Sequence, residues 1–388
     1  MTTTIDNEHK IFNVPNLRFP EFEGEWQEKR LSDIADLSKG IGISKDQLSA
    51  DGEPCILYGE LYTKYKSETI KEVISKTNID NTKLVKSKAN DVIIPCSGET
   101  AEEIATARCV LKDDILLGGD LNIIRLHGYD GSFMSYQLNG KRKYDIAKVA
   151  QGVSVVHLYG EHLKNIKTIN PSLNEQKKIA NLLSLLDERI STQNKIIEDL
   201  KKLKSAISKK LLDNDRWTTY KIQDIAKIGR GRVISSVEIE RQKHPLYPVY
   251  SSQTSNDGIM GYLDDYMFDG EYITWTTDGA NAGTVFYRKG KFNCTNVCGT
   301  LKIQTKYDCY FVSLVLQQAT QKYVSFNLAN PKLMNNIMAS IKIKMPDIEM
   351  QKQLSKIFQT LDSFLLVHQR TCDMYSREKQ YLLCQMFI

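Results

Sequence analysis

What this sequence has least of is long apolar stretches. No run in its 388 residues approaches the roughly 18 to 20 apolar residues of a membrane-spanning helix. The polar segment 1–10 lacks the apolar region of a signal peptide, so we expect the protein to remain in the cytoplasm. Its eight cysteines are scattered without the even spacing of a disulfide framework, which is typical of reduced thiols in that compartment.

The signatures of common catalytic sites are also missing. There is no Gly-x-x-x-x-Gly-Lys-Ser/Thr loop for nucleotide phosphates. Residues 170–172 and 330–332 begin like the Asn-Pro-Pro-aromatic loop of amino-methyltransferases, but both lack its second proline and its aromatic residue. They are better interpreted as turns. We therefore predict no catalytic residue and no cofactor bound by this chain.

Metal-ligand spacing is equally poor. Cys294 and Cys298 form a single C-x₃-C pair, with Cys309 further along and no histidine at ligand spacing. Zinc sites use four such groups. His157 and His162 are five residues apart, which is outside the i, i+4 spacing of a metal pair on a helix. We predict no metal site.

Neither sign of charge predominates, because 52 basic and 47 acidic residues give a formal net charge of only +5. A value for the whole chain hides local patches. Basic residues cluster at 141–143, 201–204, 209–210 and 229–232. Each cluster has two interpretations, a solvated surface or a contact with phosphate.

What the sequence does contain is a helix pattern that occurs twice, at 174–212 and 349–388, with an offset of 175 residues. Neither segment contains proline or glycine, and apolar residues recur at the 3-4 spacing of a heptad. The predicted seam residues are Ile179, Leu183, Leu186, Ile190, Ile197 and Leu200 in the first copy, and Leu354, Phe358, Leu361, Leu365, Tyr375 and Leu382 in the second. Polar residues interrupt both seams at matching positions, at Gln193 and Lys204, then at His368 and Lys379.

Both helices have recognisable starts. Ser172 and Glu175 have the spacing of a capping box, in which each side chain pairs with a free backbone N–H of the first turn. Asp347 is the predicted N-cap of the second helix, with Met350 in place of the reciprocal glutamate. Matching seams favour packing of the two helices against each other as an antiparallel pair. The alternative is two unrelated amphipathic helices that each cover a separate core.

The segments before the helices are doubled as well. Residues 26–35 are echoed by 217–226, and Gly40 then matches Gly231. Strand-like segments follow in corresponding positions at 55–58, 91–95 and 122–126, then at 246–250, 271–275 and 300–303. Short helices are predicted at 133–138 and 311–316. Between these matched segments the two halves share almost no residues. The sequence therefore predicts two domains with the same framework and different residues in the segments between.

This order predicts an α+β protein with two similar α/β domains separated by two long antiparallel coiled-coil helices, a dumbbell with approximate twofold symmetry. The predicted parts are a polar extension (1–16), a first domain (17–170), a first helix (171–213), a second domain (214–345) and a second helix (346–388). At about 1.5 Å per residue, helices of this length span roughly 50 to 60 Å.

These residues resemble one family, the specificity subunit of type I restriction-modification systems. The resemblance rests on Leu-Arg-Phe-Pro-Glu-Phe at 17–22 with Trp26, Leu-Ser-Asp-Ile-Ala at 31–35, Pro-Ser-Leu-Asn-Glu-Gln-Lys-Lys-Ile-Ala at 171–180 and Leu-Leu-Asp at 185–187. The second copies are Trp217, Asp-Ile-Ala at 224–226, Pro346, Gln-Lys at 351–352 and Leu-Asp at 361–362. It covers essentially the whole chain, and Met350 is a departure from the first copy.

The resemblance implies a non-catalytic subunit that binds double-stranded DNA. Each domain would recognise one half of a split, asymmetric target, and the helix pair would set the length of the unread spacer. Two methyltransferase subunits would dock around the helices and use S-adenosylmethionine to methylate adenine at N6. Restriction and translocase subunits that depend on ATP and Mg²⁺ would join them.

Candidate DNA contacts are basic residues in or beside predicted loops, because lysine and arginine position a reader on phosphates and arginine also reads bases. They are Lys39, Lys45, Lys64, Lys66 and Arg108 in the first domain, and Arg230, Arg232, Lys243, Arg288, Lys289 and Lys291 in the second.

Two alternative functions stay open. One is a two-headed adaptor that binds protein or carbohydrate, and the other is a subunit that serves a methyltransferase without any nuclease.

Overall fold

The computed structural model describes residues 13–80, 82–152, 155–212, 214–325 and 330–388. The chain divides into two compact units. The first unit contains the chain up to Lys195 together with Gln369–Ile388, and the second contains Ile196–His368. Most of the predicted N-terminal extension lies outside the described residues. Each long helix contributes one part to each unit, so the helices are not a body separate from the domains.

The first unit contains two five-stranded sheets, in the orders β2-β12-β8-β10-β5 and β3-β6-β4-β11-β7. Its strands are β1 (Gln27–Arg30), β2 (Ala35–Lys39), β3 (Leu48–Ser49), β4 (Glu53–Ile56), β5 (Thr69–Ile70), β6 (Ser75–Thr77), β7 (Val85–Lys86), β8 (Asp91–Pro95), β9 (Ser97–Gly98), β10 (Arg108–Val110), β11 (Leu116–Leu117), β12 (Leu121–Leu126), β13 (Val156–His157) and β14 (Lys167–Asn170). Its short helices are α1 (Leu31–Ile34), α2 (Glu60–Thr63), α3 (Ala101–Ile104), α4 (Gly131–Asn139), α5 (Lys143–Val149) and α6 (Gly160–Lys164).

The first long helix is α7 (Leu173–Leu211). In the second unit a four-stranded sheet has the order β16-β22-β19-β20, and a three-stranded sheet has the order β18-β17-β21. The strands are β15 (Thr218–Lys221), β16 (Ala226–Arg230), β17 (Tyr247–Tyr250), β18 (Ile259–Leu263), β19 (Glu271–Thr276), β20 (Val285–Lys289), β21 (Asn293–Cys294), β22 (Cys298–Ile303) and β23 (Lys342–Met345). The helices are α8 (Ile222–Ile225), α9 (Ser236–Glu240), α10 (Cys309–Ala319), α11 (Asn335–Ser340) and the second long helix α12 (Ile348–Gln385).

The predicted duplication is confirmed at the level of strand pairing. β1 pairs antiparallel with β14, and β15 pairs antiparallel with β23. An equivalent edge-to-face pair of aromatic rings lies beside each of these two-stranded ribbons. The ring centres of Trp26 and Phe133 are 5.8 Å apart, and those of Trp217 and Phe311 are 5.9 Å apart. The central strand β8 is buried throughout, and its β-branched run of Val92, Ile93 and Ile94 is typical of a strand covered on both faces.

The antiparallel pairing of the long helices is confirmed within each unit. In the first unit, Ile179 and Leu183 of α7 share a core with Leu382 of α12. In the second unit the opposite ends meet, since Leu211 of α7 packs against the core that contains Phe358 of α12. All twelve predicted seam residues are buried or half-buried. The helices begin one residue before their predicted starts.

The two lysines that interrupt the seams each face an aspartate of the other helix. In the first unit, Lys379 Nζ lies 2.5 Å from Asp187 Oδ1 and 2.5 Å from Glu68 Oε2. In the second unit, Lys204 forms an ion pair with Asp362. We call these two groups, Lys379 with Asp187 and Lys204 with Asp362, the seam ion pairs. A lysine inside a seam requires such a partner because an uncompensated buried charge is costly.

A tyrosine from each domain joins its seam ion pair. The Tyr136 hydroxyl donates to Asp187 Oδ2 at 2.7 Å, and the Tyr310 hydroxyl donates to Asp362 Oδ2 at 2.5 Å. Burial and the neighbouring aspartate raise the pKa of both tyrosines, so each keeps its proton and remains a donor. The repeated hydrogen bond attaches each domain to the helix pair.

A repeated glutamine also connects the start of each long helix to its domain. Gln176 Oε1 accepts from the Asp130 backbone N–H at 2.9 Å, and its Nε2 donates to the Pro171 carbonyl at 2.9 Å. Gln351 makes the same contacts with Asp308 and Pro346, at 3.0 and 2.8 Å. Asp130 and Asp308 are the N-caps of α4 and α10. The glutamine therefore holds the short helix against the long one.

Of the two hydrogen bonds in the capping box predicted at the start of α7, the one from Ser172 is confirmed and the one from the Glu175 side chain is wrong. The Ser172 hydroxyl accepts from the Glu175 N–H at 3.4 Å, as predicted. The Glu175 carboxylate instead accepts from Arg18 Nε and Nη2, at 2.7 and 2.8 Å. This carboxylate is almost fully buried, and a charged partner compensates its burial better than an amide does. The predicted cap of α12 is confirmed, since Asp347 Oδ1 accepts from the Met350 N–H at 2.9 Å.

We expect Lys379→Met to lower the free energy of unfolding by about 3 to 5 kcal/mol, because Glu68 and Asp187 would stay buried without a cation. Urea unfolding followed by circular dichroism measures the loss. Lys202→Met is the matched control, since Lys202 pairs with Glu198 on the exposed surface of α7, and we expect it to change little. Equal effects of the two substitutions would contradict a structural role for the buried network.

Candidate functional site

In both units, polar loops lie together at one end of the strands of the main sheet, and this row of strand ends is called an edge below. In the second unit β16 ends, β22 begins and β19 ends at this edge, where Arg230 is opposite Gly299 and Thr276 is opposite Cys298. We call it the Arg230 edge. In the first unit the equivalent strands place Lys39 opposite Asn122. We call this the Lys39 edge.

A glycine next to each basic residue makes both edges possible. A side chain at Gly231 would collide with the carbonyl oxygens of Cys294 and Thr295, and a side chain at Gly40 would collide with that of Gly118. Only glycine lets the chain pass so close to another backbone segment. The sequence match between Gly40 and Gly231 therefore has the same steric cause in both units.

Arg230 is held in place by three neighbours. Its Nε donates to the Asn296 carbonyl at 2.5 Å, and its Nη2 donates to Thr277 Oγ1 at 2.8 Å and to Asp278 Oδ2 at 3.3 Å. About a third of the side chain is exposed. Within the part of the chain that the structure describes, Nη1 has no hydrogen-bond acceptor. Arg230 thus presents a fixed guanidinium group with free donors.

Further polar groups complete the Arg230 edge. Lys332 Nζ lies 3.6 Å from Asp278 Oδ1, so Asp278 pairs with two cations. The loop at 276–279 supplies Thr277 and Asp278 to this site. Asn296 and Lys332 were not predicted, because they lie 66 and 102 residues from Arg230 and no spacing rule connects them. At the Lys39 edge, Lys39 Nζ lies 3.5 Å from Asp120 Oδ1.

Of the other candidates of the second unit, only Arg232 lies beside the Arg230 edge, where it pairs with Thr295. Lys289 lies at the opposite edge of the same sheet, where β20 ends opposite Glu271. Lys291 stands over the Tyr266 ring at 4.4 Å, and Lys243 is exposed. Arg232 is bound by Glu238, and this hydrogen bond raises the pKa of the guanidinium. Lys243, Lys289 and Lys291 form separate surface positions.

Arg288 is not the loop residue that the sequence indicated. It lies within β20, is only 4% exposed, and its Nη1 donates to Asp257 Oδ2 at 2.8 Å. Its guanidinium stacks 3.6 Å from the centre of the Tyr250 ring. A side chain buried in this way stabilises the second unit and is not available to phosphate.

In the first unit, several candidates are engaged within the protein. Arg108 lies in β10, where it donates to the carbonyls of Tyr65 and Ala107 at 3.2 and 3.0 Å, and burial lowers its pKa. Lys64 pairs with Glu60 at 2.7 Å, and Lys66 donates to the Tyr62 carbonyl at 2.8 Å. Lys45 is exposed in a single turn of 3₁₀ helix, Lys45–Gln47.

The cysteine pair has the character of core side chains. Cys294 and Cys298 are buried free thiols, and burial raises the pKa of Cys298 to about 11. Metal-binding thiols are instead found with lowered pKa values. Among the described residues no group of three or more His, Cys, Asp or Glu side chains could hold a metal ion. No helix in those same residues is both long and apolar enough to cross a bilayer.

Comparisons with known proteins agree with the duplicated architecture. A family model described as "Type I restriction modification DNA specificity domain" matches residues 23–202 and again residues 214–371. The chain is 37% identical over 230 residues to the putative type I specificity subunit S.MpnORF201P of Mycoplasma pneumoniae, covering 56% of this chain and 93% of that protein. It is 39% identical over 178 residues to the type I restriction enzyme MpnII specificity subunit of the same organism, covering 45% and 53%.

Two solved structures share the fold. The S subunit of a type I restriction-modification system from M. genitalium superimposes with a TM-score of 0.72 at 19% identity, covering 97% of this chain and 99% of that one. A chain from a study of complex assembly and conformational transition of the type I R-M system gives 0.52 at 13% identity, covering 93% and 97%. Because the family model covers most of the sequence in two consecutive matches, this chain belongs to the type I restriction-modification DNA specificity family, whose members are non-catalytic specificity subunits.

Proposed function

We propose that this chain is the DNA-sequence-specificity subunit of a type I restriction-modification complex. Each unit reads one half of a bipartite, asymmetric target in double-stranded DNA, and the helix pair sets the spacer between the halves. The observation that carries the proposal is the repetition of the ribbons and of the lysine–aspartate seam ion pairs in both units, combined with sheet edges whose side chains differ. Two different readers on one framework would recognise two different half-sites.

The chemistry of the assembled complex belongs to its other subunits. Two methyltransferase subunits dock around the helices and bind S-adenosylmethionine, and restriction and translocase subunits use ATP and Mg²⁺. This chain itself binds no cofactor and works in the cytoplasm, where the DNA is. The names of its relatives, which are specificity subunits of type I systems, support the assignment of the specificity role to this chain.

We place base recognition in the second unit at the Arg230 edge. Arginine reads guanine by donating two hydrogen bonds to O6 and N7 in the major groove. Asp278, Thr277 and Asn296 already hold the guanidinium group of Arg230. A preorganised side chain loses less conformational freedom on binding, which improves both affinity and discrimination. Lys39 takes the equivalent position in the first unit.

The exposed lysines fit contacts with phosphate better than contacts with bases. Lys45, Lys243, Lys289 and Lys291 are exposed at separate positions of the two units. Contacts of this kind position a protein on the duplex without reading sequence. Arg232, Lys64 and Lys66 would have to give up internal partners to bind phosphate. Arg108 and Arg288 are assigned to packing within the protein.

Exchange of residues 217–345 for those of a relative should change one half of the methylated target and leave the other half unchanged. The expectation follows because the second unit carries its own reading edge. Co-expression with the methyltransferase subunit encoded beside this chain, followed by sequencing of host DNA for N6-methyladenine, measures both halves at once. A stable complex that methylates no bipartite motif would contradict the function and favour a protein-binding adaptor.

Substitution of Arg230 by glutamine should relax the target at one base pair of one half-site. A contact from Nη1 alone contributes less than the roughly 1 to 3 kcal/mol of discrimination that a bidentate pair supplies, and methylation should still spread to sites that differ at this position. The same sequencing assay measures the change.

Lys289→Gln is the matched control, since Lys289 lies on the opposite edge of the same sheet. We expect this variant to methylate the unchanged motif. If Arg230→Gln lowers methylation evenly at every site without altering the motif, Arg230 contacts phosphate and reads no base.

A further inference from the structure

A polar loop at residues 251–258 begins beside the Arg230 edge of the second unit. It follows β17, and the carbonyl of the last strand residue, Tyr250, accepts from the Thr295 N–H at 2.8 Å. Thr295 precedes Asn296, whose carbonyl binds Arg230. The start of the loop is thus hydrogen-bonded to a turn that fixes Arg230. We call this segment the 251–258 loop.

A second contact attaches the 251–258 loop to the same edge. Asn281 Nδ2 donates to the Ser252 carbonyl at 3.5 Å. Asn281 lies in the turn between β19 and β20, and this turn also contains Thr277 and Asp278. Two turns that hold Arg230 therefore hold the 251–258 loop as well, so a duplex that contacts Arg230 lies next to this loop.

The composition of the 251–258 loop suits base edges better than phosphates. Its sequence, Ser-Ser-Gln-Thr-Ser-Asn-Asp-Gly, contains no lysine or arginine. Thr254, Ser255, Asn256 and Asp257 are exposed. Hydroxyl and amide side chains can contact both phosphates and bases. Without a cation of its own, however, the loop has no electrostatic preference for phosphate.

The one charged residue of the loop, Asp257, is neutralised from inside the unit. Arg288 Nη1 donates to Asp257 Oδ2 and Nη2 donates to the Asp257 carbonyl, both at 2.8 Å. The guanidinium lies 3.6 Å from the centre of the Tyr250 ring and 4.4 Å from that of Phe286. Arg288 is buried, whereas the Asp257 side chain is 68% exposed. A buried arginine therefore fixes an exposed loop and cancels a charge that would repel DNA.

The backbone of the loop is in the left-handed region at three consecutive residues. The φ angles are 50° at Asn256, 54° at Asp257 and 81° at Gly258. Outside glycine this region is uncommon, and asparagine and aspartate tolerate it best. A side chain at Gly258 would come within 3.2 Å of Arg288 Nη2, so glycine also leaves room for the guanidinium. Arg288 and the local sequence together hold the loop in one conformation.

Asn256 has free groups that can recognise a base. Its Nδ2 donates to the Ile259 carbonyl at 3.4 Å, which uses one of the two amide hydrogens. Among the described residues no donor reaches its Oδ1. An amide with one free N–H and a free oxygen matches N7 and the N6 amino group of adenine in the major groove.

The first unit has a different loop at the equivalent place. β4 and β17 are equivalent because each pairs in parallel with a later short strand, β11 or β21. Glu60 fixes the loop after β4, since it is buried and its Oε2 accepts from the Leu57 N–H at 3.1 Å. A buried charged residue thus holds this loop in both units, while the loop residues differ. That difference fits two unlike half-sites.

We propose that the 251–258 loop is a second base-reading element of the second unit, in which Asn256 contacts an adenine and Arg288 is the positioning residue. The inference rests on the proposed function and deepens it, because it adds an uncharged specificity residue. Arg230 and Asn256 read different base pairs of the same half-site. Arg288 acts only through the loop and touches no DNA.

The test uses the full-length chain, co-expressed with the methyltransferase subunit, and sequencing of host DNA for N6-methyladenine. In Asn256→Ala, sites that differ from the target at one A·T pair should gain methylation at least about fivefold relative to target sites, because a bidentate contact supplies that much discrimination or more. This pair should lie in the half-site that changes when residues 217–345 are exchanged, at a position other than the one relaxed by Arg230→Gln.

Gln304→Ala is the matched control. The Gln304 side chain is also an exposed amide, and it donates to the Asp224 carbonyl at 3.0 Å. It follows β22, at the end of that strand opposite the Arg230 edge. This variant should methylate the unchanged motif at the wild-type level.

Arg288→Met tests the positioning role. It should relax the same base pair as Asn256→Ala, because the loop loses its anchor. A purely structural arginine would instead lower methylation evenly at every site. If Arg288→Met has a Tm below the growth temperature, Asp257→Asn replaces it. Asp257→Asn alters only an exposed side chain and should relax the same base pair to a smaller extent.

Three results would count against the inference. An Asn256→Ala variant that keeps the wild-type motif overturns it, because the loop then reads no base. An even loss of methylation at every site would assign the loop to phosphate, which also overturns it. An unchanged motif in the Arg288 or Asp257 variant removes the positioning role. If the wild-type complex methylates no bipartite motif, the proposed function itself fails, and that outcome differs from failure of these variants alone.

Discussion

The structure depends on a charged residue placed where a coiled coil normally has an apolar one. Lys379 and Lys204 each lie in a seam and each require an aspartate of the other long helix. An antiparallel pair that slipped by one turn would leave Lys379 and its two carboxylates buried without partners, at a cost of several kcal/mol. It would also separate Lys204 from Asp362, which are more exposed. The seam ion pairs therefore fix which positions of the two helices meet. Through Tyr136 and Tyr310 they also fix how each domain attaches to its helices.

This arrangement separates the residues that hold the framework from those that differ between the units. Gln176 and Gln351 make the same hydrogen bonds, and both ribbons have the same antiparallel pairing. The loop edges do not repeat, since Arg230 is held by Asp278 and Asn296 where Lys39 faces Asp120. A protein built in this way can alter one edge without disturbing the seam. That independence is what a reader of two unlike half-sites needs.

The distribution of charge explains why a net value of +5 says little about this protein. Some basic residues are used inside the units, as with Arg288 over Tyr250 and Arg108 at backbone carbonyls. Others are exposed without an ion-pair partner among the described residues, as with Lys201, Lys209, Lys322 and Lys342. Each role places a different demand on the surroundings of the side chain. Only the unbalanced residues create a field that attracts an anionic partner.

The sequence by itself determined the duplication, the helix seams and the main strands, because these follow from periodic patterns and from a constant offset of 175 residues along the helices. It did not determine the partners of the charged residues. Glu175 pairs with Arg18 across 157 residues, and Lys379 reaches Glu68 across 311. Such pairs leave no periodic signal, since they arise only when folding brings distant segments together. For the same reason Arg230 and Arg288 looked alike in sequence, and tertiary structure decided that one is presented at an edge and the other is buried.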